Sequence, residues 1–153
     1  MKYLKHLYKV LLHKWYVFVV GRKLKVSYWR LLKHDLSKFS PVEFGRYARQ
    51  FYGKGDDNFS LAWVHHQNRN DHHWEYWISR SKHNNGRING ALPMPEMAIR
   101  EMVADWLAAG KVYSGEWPDL HNFTWFRQNA PNMNMNILTW IKLQEVLDEA
   151  ARL

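Results

Sequence analysis

A chain of 153 residues that is 46% apolar and 16% aromatic, with nine tryptophans, can bury one core without staples, which argues against an intrinsically disordered protein. It has no cysteine, so disulfides and thiolate metal sites are excluded, any metal ion must be held by histidine and carboxylate, and the composition suits a reducing cytoplasm. The formal charge of +8 is uneven, because residues 1–54 hold 13 Lys and Arg against Asp35 and Glu43 while the rest hold 9 against 12; a basic half of this kind favours a phosphate-bearing partner such as a nucleotide, a nucleic acid or an anionic lipid.

Residues 2–20 place Leu4, Leu7, Leu11, Trp15 and Phe18 at helical spacing with lysines between them, which predicts an amphipathic helix. Its most apolar part, VLLHKWYVFVV at 10–20, is interrupted by His13 and Lys14. It is far shorter than the roughly 20 residues of a membrane span, so it reads as a core helix. The pattern continues over 22–36 as a second helix ending near HDLSK. Ser40, Pro41 and Glu43 then supply an N-cap, a first-turn proline and a capping-box glutamate for a third helix from 41 to about 52.

Gly53, Gly55, Asp56 and Asp57 break that helix, and a fourth runs from Phe59 to about Gln67. The polar interval 79–92, SRSKHNNGRINGAL, reads as a long loop of the kind that forms lids. Pro95 starts a helix with Ile99, Met102, Val103 and Trp106 on its apolar side, which Gly110 can end. A Trp-rich turn region follows, and 136–151 closes the chain as an amphipathic helix. No period-two strand pattern, internal repeat or linker stands out, so the expectation is one all-α domain over 1–153 with six or seven helices.

The histidines carry the chemistry. His13 lies on one stripe of the first helix with Val10, Val17 and Val20, an expensive place for a titratable group without partners. His34 and Asp35 are adjacent at the end of the second helix. Their side chains diverge by about 100°, so they can grip a metal from two sides, and the aspartate has two oxygens with which to bridge two ions. In HHQNRNDHHW, His66 and His73 are seven residues apart, as are His65 and His72, which is two turns of a helix. Both His72 and His73 can serve only if the chain turns irregularly at NRND. Asp105 follows Glu101 by one turn, beside the apolar Met102 and Trp106, where a carboxylate calls for a cation.

This order, an early helical His, a His-Asp doublet, a histidine group and a late helical Asp, resembles the HD-domain superfamily of metal-dependent phosphohydrolases, which are all-helical bundles. HDLSK is similar to the HDIGK element of the HD-GYP cyclic-dinucleotide phosphodiesterases, and HHWE to their HHE. The resemblance implies His13 as first ligand, His34 and Asp35 as the doublet and Lys38 as a phosphate contact. It further implies His66, His72 and His73 as ligands of a second metal and Asp105 as the last ligand. The whole chain also resembles a family of small uncharacterised bacterial and phage proteins that share HDLSKF and an H-x3-N-x-HH-W-x-Y-W element, here His66, Asn70, His72, His73, Trp74, Tyr76 and Trp77.

Imidazoles and carboxylates in this mix suit one or two ions of Mn, Fe, Co, Ni or Zn. Such ions lower the pKa of bound water and neutralise phosphoryl oxygens, so no protein nucleophile is needed. Lys38, Arg30 and Lys33 are the candidates for holding the remaining phosphate charge. The expected activity is hydrolysis of a nucleotide, cyclic nucleotide or related phosphate ester, with Asp35 and Lys38 as its central residues. Two alternatives stay open: an HD-fold di-iron oxygenase built on the same ligands, and a non-enzymatic module whose basic half binds nucleic acid.

Overall fold

The computed structural model describes residues 1–79 and 90–153, and these form seven α-helices with no strand among them. The helices are α1 (Lys2–Lys23), α2 (Tyr28–Lys33), α3 (Phe44–Tyr52), α4 (Phe59–Arg69), α5 (Glu96–Ser114), α6 (Thr124–Asn129) and α7 (Ile137–Ala150), with 3-10 turns at Leu36–Phe39, Trp74–Trp77 and Ala130–Asn132. The all-α expectation is therefore met. Most of the expected lid, 79–92, lies outside the described residues. At its two ends Ile78 and Ala91 form an isolated antiparallel bridge.

The aliphatic core joins Val17, Val20, Leu24, Val26 and Leu31 to Ile99, Met102, Val103 and Leu107 of α5 and to Leu143, Val146 and Leu147 of α7. Each such side chain contributes roughly 1.5–3 kcal/mol when fully buried. Arg100 ties the three helices together, donating to the Leu24 carbonyl at 3.1 Å and to Glu149 at 2.7 Å. No helix among the described residues is long and apolar enough to cross a membrane.

Three local expectations are corrected. The buried stripe of α1 is His6, Val10, His13, Val17 and Val20, whereas Leu4, Leu11 and Trp15 of the expected apolar stripe are exposed. Both stripes have helical spacing. The buried one is the stripe that His13 shares with Val10, Val17 and Val20, extended by His6, and α1 packs against α3 and α5. The expected helix over 22–36 is broken. The chain leaves α1, passes Lys25 at φ 63°, and restarts as α2 with Ser27 Oγ accepting from the Arg30 amide at 3.4 Å. Leu24 and Val26 are fully buried within this turn, so their apolar character mimics a continuing helix. Gly21 allows the fold-back, since a Cβ there would run into the side chain of Leu31.

The third correction concerns Gly110, which does not end α5. The helix continues to Ser114 and stops at Gly115, in the left-handed region at φ 84°. Gly110 is small because the ring of Pro118 packs where its Cβ would be. The Ser40 hydroxyl accepts from the Glu43 amide at 3.3 Å, but the helix expected from 41 begins at Phe44, with Glu43 at its N-cap position and no side-chain cap.

Helix propensity alone predicts that Gly110→Ala stabilises the protein by ~1 kcal/mol. The Pro118 contact reverses the sign, so chemical denaturation should show a loss of ~1–3 kcal/mol.

Candidate metal centre

The site is organised by the turn between α2 and α3. His34 leaves α2 in an extended conformation, and Asp35 follows in the left-handed region at φ 54°, a conformation that costs a non-glycine residue on the order of 1 kcal/mol or more. The 3-10 turn Leu36–Phe39 then brings Lys38 back over Asp35, its amide donating to the Asp35 carbonyl at 3.0 Å. Lys14 of α1 holds the bend from the other side by donating to the His34 carbonyl. Asp35 is 0% exposed.

The two oxygens of Asp35 face two different groups. Oδ2 lies 3.4 Å from His34 Nε2 and 3.7 Å from His13 Nε2. Asp105 Oδ1 completes this set, 2.8 Å from His13 Nε2 and 3.4 Å from His34 Nε2, with the two imidazole nitrogens 3.4 Å apart. Oδ1 lies 3.4 Å from His66 Nε2 and 3.5 Å from His72 Nε2, and His73 Nε2 is 3.0 Å from His66 Nε2. Donors about 2.0–2.2 Å from one ion are roughly 2.9–3.5 Å apart for angles between 90° and tetrahedral, and the observed separations match that range closely. Each of the two groups, His13–His34–Asp35–Asp105 and Asp35–His66–His72–His73, could hold a metal ion.

The polar atoms themselves support this. Both oxygens of Asp35 and Nε2 of His72 are buried. Lys38 Nζ is ion-paired with Asp35 Oδ2 at 2.6 Å, which leaves Asp35 Oδ1 and His72 Nε2 as the atoms without a close partner. Buried donors and acceptors left unpaired in this way are costly in a protein interior, and a cation satisfies them together.

Two glutamates fix the imidazoles from behind. Glu43 Oε2 accepts from His66 Nδ1 at 2.9 Å and its Oε1 from His65 Nδ1 at 2.7 Å. Glu101 Oε1 accepts from His34 Nδ1 at 2.9 Å and lies 3.4 Å from His72 Nδ1. An Nδ1–H bonded to carboxylate leaves the Nε2 lone pair facing Asp35, the tautomer that a metal ligand needs. Although Glu101 forms a third compact group with His34 and His72, it faces their Nδ1 atoms and so acts as an acceptor. His66 and His73 are not on one helix: α4 ends at Arg69, Asn70 is extended, and the turn at Asp71 returns His72 and His73 to the cluster, the irregularity that NRND led us to expect.

Burial alone would raise the carboxyl of Asp35, but His34, Lys38 and His66 hold it well below the usual carboxylate range. Asp105 is lowered against burial by His13 and His34. Glu101 is lowered against burial to about 2 by His34 and His72. Burial pushes His13 and His73 down, so both present neutral rings. His34 is raised well above its ordinary value because Asp35, Asp105 and Glu101 outweigh its burial.

The residues read from the sequence divide cleanly. His13, His34, Asp35, His66, His72, His73 and Asp105 come together, and Lys38 lines the adjoining cavity of about 190 Å³. Arg30 does not face that cavity. Its guanidinium donates to Glu101 at 2.7 Å and to Asp71 at 2.5 and 3.1 Å, which makes it a buttress for the histidine-orienting glutamate and corrects its assignment to phosphate. Lys33 is exposed on the last turn of α2 and does not line the cavity, so it too is corrected. Glu43, Glu101 and Lys14 were missed, since each acts on a partner 20 or more residues away and no local pattern announces it. The helical spacing of Glu101 and Asp105 was the one available signal.

The unfolded chain titrates the Glu101 carboxyl near its ordinary value of 4.5 and the folded one near 2. Between these values the unfolded state binds the extra proton, so this stabilisation is full above pH 4.5 and is lost as pH falls toward 2. Denaturation of metal-free protein as a function of pH should show a shallower slope in that window for Glu101→Gln. The same variant should bind divalent metal 10–100-fold more weakly, on the order seen for outer-shell carboxylates.

No curated protein and no solved structure matches the chain. One family does, described as a family of unknown function, DUF5662, and it matches residues 2–149. That span takes in every residue of the cluster from His13 to Asp105, and the chain belongs to this family.

Proposed function

We propose that the protein is a metal-dependent phosphohydrolase that holds two divalent transition-metal ions and acts on a nucleotide or related phosphate ester. The observation that carries this reading is the posture of Asp35: its two oxygens are fully buried and directed to separate histidine groups, Oδ1 without a hydrogen-bond partner and Oδ2 paired with Lys38 at 2.6 Å. His13, His34 and Asp105 would hold one ion and His66, His72 and His73 the other, with Asp35 common to both. The order of these ligands along the chain, like that of the HD-domain phosphohydrolases, supports the same reading.

Bound ions of this class supply an acidified water and neutralise phosphoryl charge. The chain's own residues do the rest. Glu43 and Glu101 keep four imidazoles oriented, and Arg30 keeps Glu101 in place. Lys38, whose ammonium is held protonated by Asp35 and Asp105 against its burial, reaches the cavity beside the ligands and is placed to hold a phosphoryl oxygen. A structural or nucleic-acid-binding role for the histidines accounts poorly for their inward convergence.

Asp35→Ala should lose metal content and phosphatase activity together. Lys38→Ala should keep its metal content, read by elemental analysis, and lose phosphate binding or turnover worth ~1.5–3 kcal/mol, the range for a hydrogen bond to a charged group. Full metal content in Asp35→Ala, or no turnover of any ester in a screen with Mn²⁺, Fe²⁺, Co²⁺, Ni²⁺ and Zn²⁺, would overturn the reading. Iron-dependent oxygen uptake without hydrolysis would put the oxygenase in its place.

A further inference from the structure

The cavity of about 190 Å³ beside the cluster contains more than the ligands and Lys38. His6 and Lys9, two helical turns and one helical turn before His13 on α1, line it together with Tyr47 of α3. His6 is 4% exposed and Tyr47 5%, yet His6 Nε2 and the Tyr47 hydroxyl have no hydrogen-bond partner. Leaving two such atoms unsatisfied in one cavity is costly, and packing does not require either. Phenylalanine would stack equally well where the His6 ring meets Phe44 at 5.1 Å and Tyr47 at 6.0 Å. Burial, assisted by Lys38, lowers His6 to about 4, and burial raises the Tyr47 phenol. Both groups are therefore uncharged at pH 7. The phenol can donate, and the imidazole donates from Nε2 in the tautomer that carries its proton there. Lys38 lines the same cavity, as does Lys9, whose ammonium donates to the Val112 carbonyl at 2.9 Å.

A second cavity, of about 590 Å³, adjoins the first. His73, Asp105 and Trp63 line both. Its wall includes Trp106, Phe123 and Trp125 as well as Glu75 and Asp119, and no Lys or Arg. The smaller cavity thus sets hydrogen-bonding groups and the positive charge of Lys38 within an aromatic lining that includes Phe51, Tyr52 and Tyr113. The larger offers aromatic surface, space and negative charge. A ligand that spans both has a compact oxyanion head and an uncharged or aromatic body.

We propose that His6 and Tyr47 are the phosphoryl-binding donors of the site and that the substrate class is a phosphomonoester, its terminal phosphoryl group held between these residues and Lys38 and its organic part lying in the larger cavity. This rests on the phosphohydrolase reading and narrows it. A diester carries organic groups on both sides of phosphorus, and only the larger cavity has room for one.

The test uses His6→Phe and Tyr47→Phe, which keep the rings and remove the unpartnered atoms. Both variants should melt at or above the wild-type temperature, because each loses a buried unsatisfied group. Inorganic phosphate, titrated calorimetrically with and without Mn²⁺, should bind each variant on the order of tenfold more weakly, as for a lost hydrogen bond. With Mn²⁺, 4-nitrophenyl phosphate should be turned over with at least tenfold higher kcat/KM than bis(4-nitrophenyl) phosphate, and the variants should raise KM for the monoester. A clear fall in melting temperature would assign both groups to packing and overturn the proposal. So would unaltered phosphate binding, or a preference for the diester. Turnover with unaltered KM in the variants sinks this inference and leaves the hydrolase standing. Weakened phosphate binding without turnover by any metal does the reverse.

Discussion

The interior of this protein is arranged around a buried carboxylate. Asp35 has no solvent exposure, and moving an ion of this size out of water costs several kcal/mol even after relaxation. Its backbone is also held in a conformation that non-glycine residues rarely adopt. Such a residue persists only if its surroundings over-determine it. Lys38 at 2.6 Å and four histidine nitrogens within 3.7 Å supply that compensation. The compensation is electrostatic and geometrically incomplete, since Asp35 Oδ1 and His72 Nε2 have no hydrogen-bond partner. A cation between these atoms would remove the remaining cost, so metal affinity and folding stability draw on the same source.

The same constraint explains why two more glutamates are buried. An imidazole can present Nε2 to a ligand reliably only if Nδ1 has a fixed acceptor. Glu43 does this for His66, and Glu101 for His34 and His72. Each of those carboxylates then needs its own partner, which brings His65 and Arg30 inward. Arg30 in turn recruits Asp71, at the turn that returns His72 and His73. Trp77 donates its indole N–H to the Asp71 carbonyl at 2.7 Å. The aromatic run after the histidines thus locks the turn that places them.

What could be read in the sequence was what repeats locally or names its own chemistry. The helices at 59–69 and 137–150 and the seven candidate ligands all belong to that class. The failures have a common physical origin. Glu43 looked like a capping box because Ser40 stands three residues before it. Its amide does donate to the Ser40 hydroxyl, but its side chain serves His65 and His66, and only tertiary structure decides between two acceptor roles. Arg30 and Lys33 looked like phosphate contacts because charge near a motif is visible while direction is not. On α1 two stripes share helical spacing, that of the large Leu4, Leu11 and Trp15 and that of His13 with Val10, Val17 and Val20. Size does not decide between them: the second is the buried one.

α5 reconciles the polar centre with an ordinary core. Ile99, Met102, Val103 and Leu107 face the aliphatic cluster, while Glu101 and Asp105, four residues apart, share another face and reach the histidines. A regular helix keeps those two faces in fixed register, so the packing of α5 against α1 and α7 also fixes where Asp105 meets His13. Asp105 is therefore anchored by the same packing as the core. Asp35 instead sits on a turn held by Lys14 and by the Leu36–Phe39 bend. A bridging group needs both oxygens turned to two partners at once, and the left-handed turn supplies a carboxylate direction that a continuing helix over 22–36 would have denied. The broken second helix and the two-sided carboxylate are consequences of the same bend.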